Sequence, residues 1–212
     1  FLSSIKVNGE NTFDHNADYF NYEKKSVFTN KDLPNPQDNY AISKFEAENL
    51  LWEISSKTGL EVTVVRLPLV YGYGVKGNLA KLLKLIKTRI PLPLRMLKNK
   101  RSMIGIDNLV SLLIQCIDHP KAAGKTFLVS DGEDLSTPDL VKHISKSMGY
   151  KARLFPVPLY MLKFLSFIFG KQKEINRLAG SLKVDSSYTR DVLNWRPPVS
   201  VAEGIRRMTQ GK

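Results

Sequence analysis

The chain has 212 residues, 42% of them hydrophobic and 25% charged, which excludes a disordered polar chain and leaves room for one large domain or one and a half ordinary ones. Its net charge of +12 and pI of about 9.7 raise nucleic acid or an anionic membrane as partners. The basic residues are spread over the whole length, however, and the densest cluster, Arg95 to Arg101, lacks interleaved aromatics, so no nucleic-acid partner is expected; anionic substrates explain the excess equally well. A single cysteine, Cys116, excludes an internal disulfide and fits a reducing, cytoplasmic compartment.

Taken in order, Phe1-Leu2-Ser3-Ser4 reads as the end of a buried strand entering a loop, so the chain is expected to be the later part of a longer protein, and Val7-Asn8-Gly9 is a turn. Glu10 to Asn39 is a long polar loop ending in Pro34 and Pro36, of the kind that carries function. From Tyr40 to Lys57 the apolar residues Ala41, Phe45, Leu51 and Ile54 follow a helical period, and Gly59 supplies the stop. Leu60 to Leu67 is a nearly continuous β-branched run, the mark of a strand buried on both faces. Strand, helix and strand in this order make a βαβ unit and an α/β fold.

A breaker-rich loop with Pro68, Gly72, Gly74 and Gly77 leads to a helix from Leu79 to Thr88. Pro91-Leu92-Pro93-Leu94 is extended, because each proline keeps its predecessor out of the helical region. Arg101 to Ile106 is a short strand, and Asp107 is expected to cap a helix reaching Asp118, with Cys116 on its apolar side as a core thiol. Thr126 to Val129 is a strand, and Ser136 or Thr137 caps a helix with Pro138 in its first turn. Residues 157 to 169 are strongly apolar but too short to span a bilayer, so a buried or interfacial helix is expected and no integral membrane segment. The histidines His15, His119 and His143 show no ligand spacing, and no metal is expected.

Chemistry concentrates at Pro36-Gln37-Asp38-Asn39-Tyr40-Ala41-Ile42-Ser43-Lys44. A tyrosine and a lysine four residues apart share a helix face, so the ammonium can favour the phenolate and bring a poor base toward its working range. An exposed helical pair would look the same, and the neighbouring motifs must decide.

Ser3-Ser4, the Tyr40/Lys44 pair and Arg66-Leu67-Pro68-Leu69-Val70-Tyr71-Gly72 occur in an order that resembles the extended short-chain dehydrogenases/reductases, and within them the nucleotide-sugar epimerase/dehydratase family. The likeness continues through Arg101-Ser102-Met103-Ile104-Gly105-Ile106-Asp107 to Leu193-Asn194-Trp195-Arg196-Pro197-Pro198. It implies a C-terminal part of a Rossmann-like parallel-sheet domain plus a smaller mixed α/β substrate domain. Residues 1–71 would be the remainder of the dinucleotide domain, to which 101–129 returns, and 72–100 with 130–212 would bind the nucleotide sugar. The Gly-rich turn that cradles the cofactor pyrophosphate has no counterpart in the sequence, so weak cofactor binding and no activity are expected of these residues alone.

By the same resemblance Ser4, Tyr40 and Lys44 are catalytic: Ser4 hydrogen-bonds the reacting sugar oxygen, Tyr40 is the acid/base, and Lys44 tunes it and holds the nicotinamide ribose. Ser3, Leu67 and Pro68 join Tyr40 and Lys44 against the cofactor, NAD with NADP as the alternative. Asn78 and Leu79 open a helix that meets a UDP-sugar, Leu92 and Leu94 read its base from an extended strand, and Arg101 binds its diphosphate, with Arg177 as a second phosphate ligand. The family resemblance also implies a homodimer. Leu69, Asn8 and Pro93 depart from the 4-epimerase pattern, and they bear on which sugar and base are taken. The expected activity is a nucleotide-sugar 4-epimerase working through a transient 4-keto sugar; the alternatives are a 4-keto reductase of a UDP-deoxy-amino sugar and a catalytically silent sugar-nucleotide binder.

Overall fold

The β-branched residues of Thr63–Leu67 form the middle strand of a parallel sheet in the computed structural model, which describes residues 1–12 and 26–211. The sheet runs β1 (Leu2–Ser4), β2 (Thr63–Leu67), β5 (Lys125–Leu128), with Ser3 opposite Arg66, Ser4 opposite Leu67 and Val65 opposite Phe127. Pro68, which has no N–H to give a ladder, ends β2. The chain then enters a second parallel pair, β3 (Leu69–Tyr71) with β4 (Met103–Gly105), Leu69 facing Met103. A short 3-10 turn, Ile5–Val7, follows β1.

Helix α1 (Asn39–Thr58) closes the βαβ unit between β1 and β2. Its start is fixed by the Asp38 side chain, which accepts from the Ala41 N–H at 2.7 Å, and its stop by Gly59 at φ 74°, a left-handed cap that glycine takes without strain. The remaining helices are α2 (Gly77–Lys87), α3 (Ile106–Asp118), α4 (Thr137–Ser147), α5 (Leu159–Ile168), α6 (Gln172–Ala179), α7 (Ser187–Leu193) and α8 (Val201–Gln210). One core joins β2, β4, α3, β5 and α7 through Val65, Ile104, Leu112, Phe127 and Leu193. Another joins β3, α2, α4 and α8 through Tyr71, Leu82, Ile86, Ile144 and Ile205. Cys116 packs against the first, and burial pushes its thiol up to about 11, so it is an inert core group.

Several expectations are corrected. The strand expected from Leu60 begins only at Thr63, and Leu60 stands exposed. The α1 residues Leu50 and Ile54 are exposed, while Ala41 and the acidic Glu48 are buried. Helix α3 starts one residue before Asp107, with Gly105 as its cap residue; Asp107 lies in the first turn and pairs with Arg207 at 3.0 Å. The apolar segment 157–169 is not buried: α5 sinks only Leu162 and Ser166. His15 lies outside the described residues.

Tyr71 shows how tightly the second core is closed. Its hydroxyl donates to Asp131 at 2.7 Å, and Asp131 also takes the Asn108 amide at 2.8 Å. Burial first, then the Asp131 contact, raises the phenol well above its ordinary value, so Tyr71 is a structural donor. Gly204 of α8 lies against this ring, where an added Cβ would meet the Tyr71 hydroxyl oxygen at 2.8 Å and Cε2 at 3.0 Å. Gly204→Ala in the full-length protein is expected to lose about 1–3 kcal/mol, the usual result of forcing a methyl into a closed core. Denaturant titration checks this, and an unchanged midpoint would show that the ring moves aside freely.

Candidate active site

The carboxyl ends of β1 and β2 lie side by side, and in open parallel sheets ligands bind beyond those ends. Ser4, last residue of β1, is opposite Leu67, last residue of β2, and Pro68 follows at once. Ser4 is buried, and its oxygen accepts from the Lys6 N–H at 3.3 Å, capping the 3-10 turn. The first two turns of α1, which packs on β1 and on that 3-10 turn, supply Tyr40 and then Lys44.

Tyr40 is 54% exposed, so its phenol is open to a substrate. The Lys44 ammonium lies 5.9 Å from the centre of the Tyr40 ring and donates to the Leu2 carbonyl at 3.3 Å. One N–H of Lys44 thus holds α1 to β1, the ammonium also lies 5.1 Å from the centre of the Phe1 ring, and its other two N–H groups have no hydrogen-bond partner among the described residues. The Asp38 cap is itself held by Lys6, whose ammonium bridges Asp38 and Glu10. The Lys6 hydrogen bond, and next the Ala41 N–H, hold the Asp38 carboxyl below the usual range, so the cap stays charged at neutral pH.

The residue that fixes this arrangement was missed in the sequence. Glu48 follows Lys44 by four residues and Tyr40 by eight, on one stripe of α1, and it is 1% exposed. Arg66 of β2 donates to it through Nε at 3.0 Å and Nη2 at 2.6 Å, and the Ser3 hydroxyl donates to it as well. Arg66 Nη1 continues to Asn8 Oδ1 at 3.0 Å, while the buried Asn8 Nδ2 has no partner among the described residues. The cluster locks the rotation of α1 against both strands, and with it the direction in which Tyr40 and Lys44 point. The signal was Arg66, a cation within a buried apolar strand, which demands a buried acid. Ser3, expected at the cofactor, instead has its hydroxyl committed to this cluster.

The residues expected to meet the nucleotide sugar divide. Asn78 is exposed in the first turn of α2, but the Leu79 side chain is in the core, leaving only its backbone to face a ligand. Leu92 pairs with Leu154: its N–H donates to Arg153 at 2.8 Å and its carbonyl accepts from Phe155 at 3.0 Å. Leu94 is in a turn rather than on a strand, its N–H spent on Leu92 at 2.9 Å, and both side chains are buried. Neither offers a free donor to a base. The expected extended run fails because prolines 91 and 93 settle local geometry, whereas residues 153–155 close over it from far along the chain.

Arg101 bridges by its backbone to Leu135 and Leu182, and its Nε donates to the Gly180 carbonyl at 2.9 Å. Gly180 ends α6, which carries Arg177 on its exposed side. Burial in the first place, with the like charge of Arg177 adding to it and Glu10 opposing, pulls the Arg101 guanidinium below its ordinary value. Two cations close enough to oppose each other, with no carboxylate in ion pairing to either among the described residues, favour an anion between them.

Residues 8–130 match the model of the NAD dependent epimerase/dehydratase family. The chain belongs to this family. Tyr40, Lys44, Leu67, Pro68, Asn78, Leu79, Leu92, Leu94 and Arg101 fall within the stretch that the family model matches, and Ser3, Ser4 and Arg177 outside it. The chain is 41% identical over 211 residues to a UDP-glucose 4-epimerase of Vibrio cholerae, covering 99% of this chain and 61% of that protein. It is 27% identical over 225 residues to the N-acetyl-α-D-glucosaminyl-diphospho-ditrans,octacis-undecaprenol 4-epimerase of Escherichia coli O157:H7, covering 99% and 63%. Among solved structures, it resembles UDP-N-acetylglucosamine 4-epimerase from Bacillus cereus with a TM-score of 0.72 at 18% identity, over 98% of this chain and 63% of that one. A UDP-glucose 4-epimerase from Thermotoga maritima with UDP-glucose gives a TM-score of 0.69 at 20% identity, over 99% and 61%. The chain thus spans about three-fifths of the length of the family members it matches.

Proposed function

We propose that this chain carries the acid/base and sugar-nucleotide half of an NAD-dependent nucleotide-sugar 4-epimerase. What supports the reading is the Tyr40/Lys44 pair on α1, which packs on β1, together with Ser4 opposite Leu67 at the ends of β1 and β2, in a member of a family whose dependence is on NAD. The groups present suit that cofactor: an ammonium with spare donors, an exposed phenol, and a proline at the strand end whose ring lacks a competing N–H. Lys44 would hold the nicotinamide ribose, with Leu67 and Pro68 against the ring. When bound there, NAD would supply a reversible hydride acceptor for C4 of the sugar.

Hydride can leave a carbinol carbon only as its hydroxyl proton is removed. Tyr40, as the phenolate, accepts that proton and later returns it, Ser4 donates a hydrogen bond to the same oxygen, and the Lys44 charge favours the phenolate that takes the proton and is regenerated when the proton is given back. The 4-keto sugar would rotate within the site, so that its other face would be presented for the returning hydride. Arg101 and Arg177 would hold the diphosphate, and the α2 start with Asn78 would lie along the nucleotide. In this reading 1–71 with 101–129 serve the cofactor, and 72–100 with 130–212 the sugar nucleotide. The exposed Leu50 and Ile54 of α1 fit burial against a second copy in a homodimer.

The test uses the full-length protein with UDP-glucose and UDP-N-acetylglucosamine in turn. Formation of the galacto epimer with no net change in nicotinamide absorbance is expected. Stoichiometric consumption of the reduced nicotinamide with a UDP-4-keto sugar, and no epimer, would instead establish the 4-keto reductase.

A further inference from the structure

The least explained surface of the molecule is α5. Tyr160 is 72% exposed, Phe164 65%, Phe167 70% and Phe169, just past its end, 71%. Met161, Leu165 and Ile168 are exposed beside them, and only Leu162 and Ser166, one turn apart, face the core. An apolar cover of this kind on one helix is more than scattered surface residues and marks an interaction site. The charge around it is one-sided: between Asp139 and Glu174 there is no acidic residue and there are seven lysines and arginines, Lys163 within α5 and Lys171 just after it. Upstream, an open groove is lined by Arg95, Lys142, Lys146 and Lys151 together with Leu154. Phe155, exposed and four residues before α5, has its carbonyl accepting from the N–H of Arg95 in that groove at 3.3 Å.

We propose that α5 and its basic surroundings are a docking element for the surface of an anionic bilayer. A helix of 10 residues spans only about 15 Å, half of a hydrocarbon core, and no helix among the described residues is long and apolar enough to cross a membrane. It therefore lies in the interface. Aromatic rings enter the headgroup boundary, Lys163 and Lys171 reach back along their stems to the phosphates, and the Arg95 groove meets further headgroups. The complete lack of carboxylates over this stretch is what an anionic lipid surface requires, since any one would be repelled. The inference goes beyond the catalytic reading and stands whichever sugar reaction the site performs.

The test is vesicle flotation of the full-length protein, with phosphatidylcholine alone or with phosphatidylglycerol as about a third of the lipid. The protein is expected to float with the anionic vesicles at low salt and to stay behind with phosphatidylcholine. The double variant Phe164→Gln/Phe167→Gln, altered only at exposed positions, should lose at least about tenfold in vesicle affinity with an unchanged circular dichroism spectrum. Lys163→Glu/Lys171→Glu should weaken flotation as well. Flotation that ignores the phenylalanines, or none at low salt, would overturn the proposal. So would a lipid-free oligomer that the phenylalanine variant dissolves, because α5 would then be a protein interface.

Discussion

Replacing Tyr40 with phenylalanine in the full-length protein is expected to lower turnover by about a hundredfold or more, the usual contribution of a positioned acid/base. The change deletes one oxygen from a side chain that is 54% exposed, so folding and cofactor affinity should stay close to those of the parent. Lys44 keeps its bond to the Leu2 carbonyl and its reach to a ribose. The loss belongs in the chemical step, with little change in KM, because the missing proton transfer acts in the transition state alone. Steady-state kinetics on the epimer ratio measures it. Turnover within about threefold of the parent would show that another group moves the proton.

The second large effect is on stability. Glu48→Ala removes the only carboxylate paired, among the described residues, with Arg66, which is 7% exposed, and also leaves the buried Ser3 hydroxyl without its acceptor. Breaking one side of a buried pair costs about 3–5 kcal/mol, since the surviving charge stays away from water. That is a large part of an ordinary domain's stability, so Glu48→Gln serves as the milder, measurable partner of the alanine variant. Glutamine keeps the volume and an acceptor for Arg66 but loses the charge, and it should fall between parent and alanine in chemical denaturation. A shift below about 1 kcal/mol for Glu48→Ala would mean that the cluster relaxes, and that α1 is oriented by something else.

These two residues also show where the sequence was legible. Tyr40 and Lys44 are read from their own spacing, and the helix that carries them announces itself through Asp38 and Gly59, whose caps act within one turn. The same local logic places Ser136 before α4. Glu48 looks like one more solvated acid until Arg66 is brought beside it by β2. The correction at Leu92 and Leu94 has the same origin, because the isolated bridge of Leu92 with Leu154 is a long-range pairing that no local rule contains. Helices α6, α7 and α8 went unread, although Ser200 with Glu203 three residues on was a usable start signal for α8, where the Ser200 side chain accepts from the Glu203 N–H. The exposure of α5 could not be read at all, since an apolar run has the same letters on a surface as in a core.

The parallel sheet has a consequence for the order in which the site comes into being. Ser3 opposite Arg66 and Val65 opposite Phe127 join positions some sixty residues apart, so each pairing closes a long loop before it gains any contact. Helix α1, capped by its own neighbours, can form at once, but Tyr40, the proposed acid/base, stays unaimed until Glu48 finds Arg66, and Arg66 is in place only when β2 has docked between β1 and β5. High contact order makes that docking the slow event. In a nascent chain leaving the ribosome, the tyrosine is therefore made before β5 and is aimed only after β5 at Lys125–Leu128 has emerged.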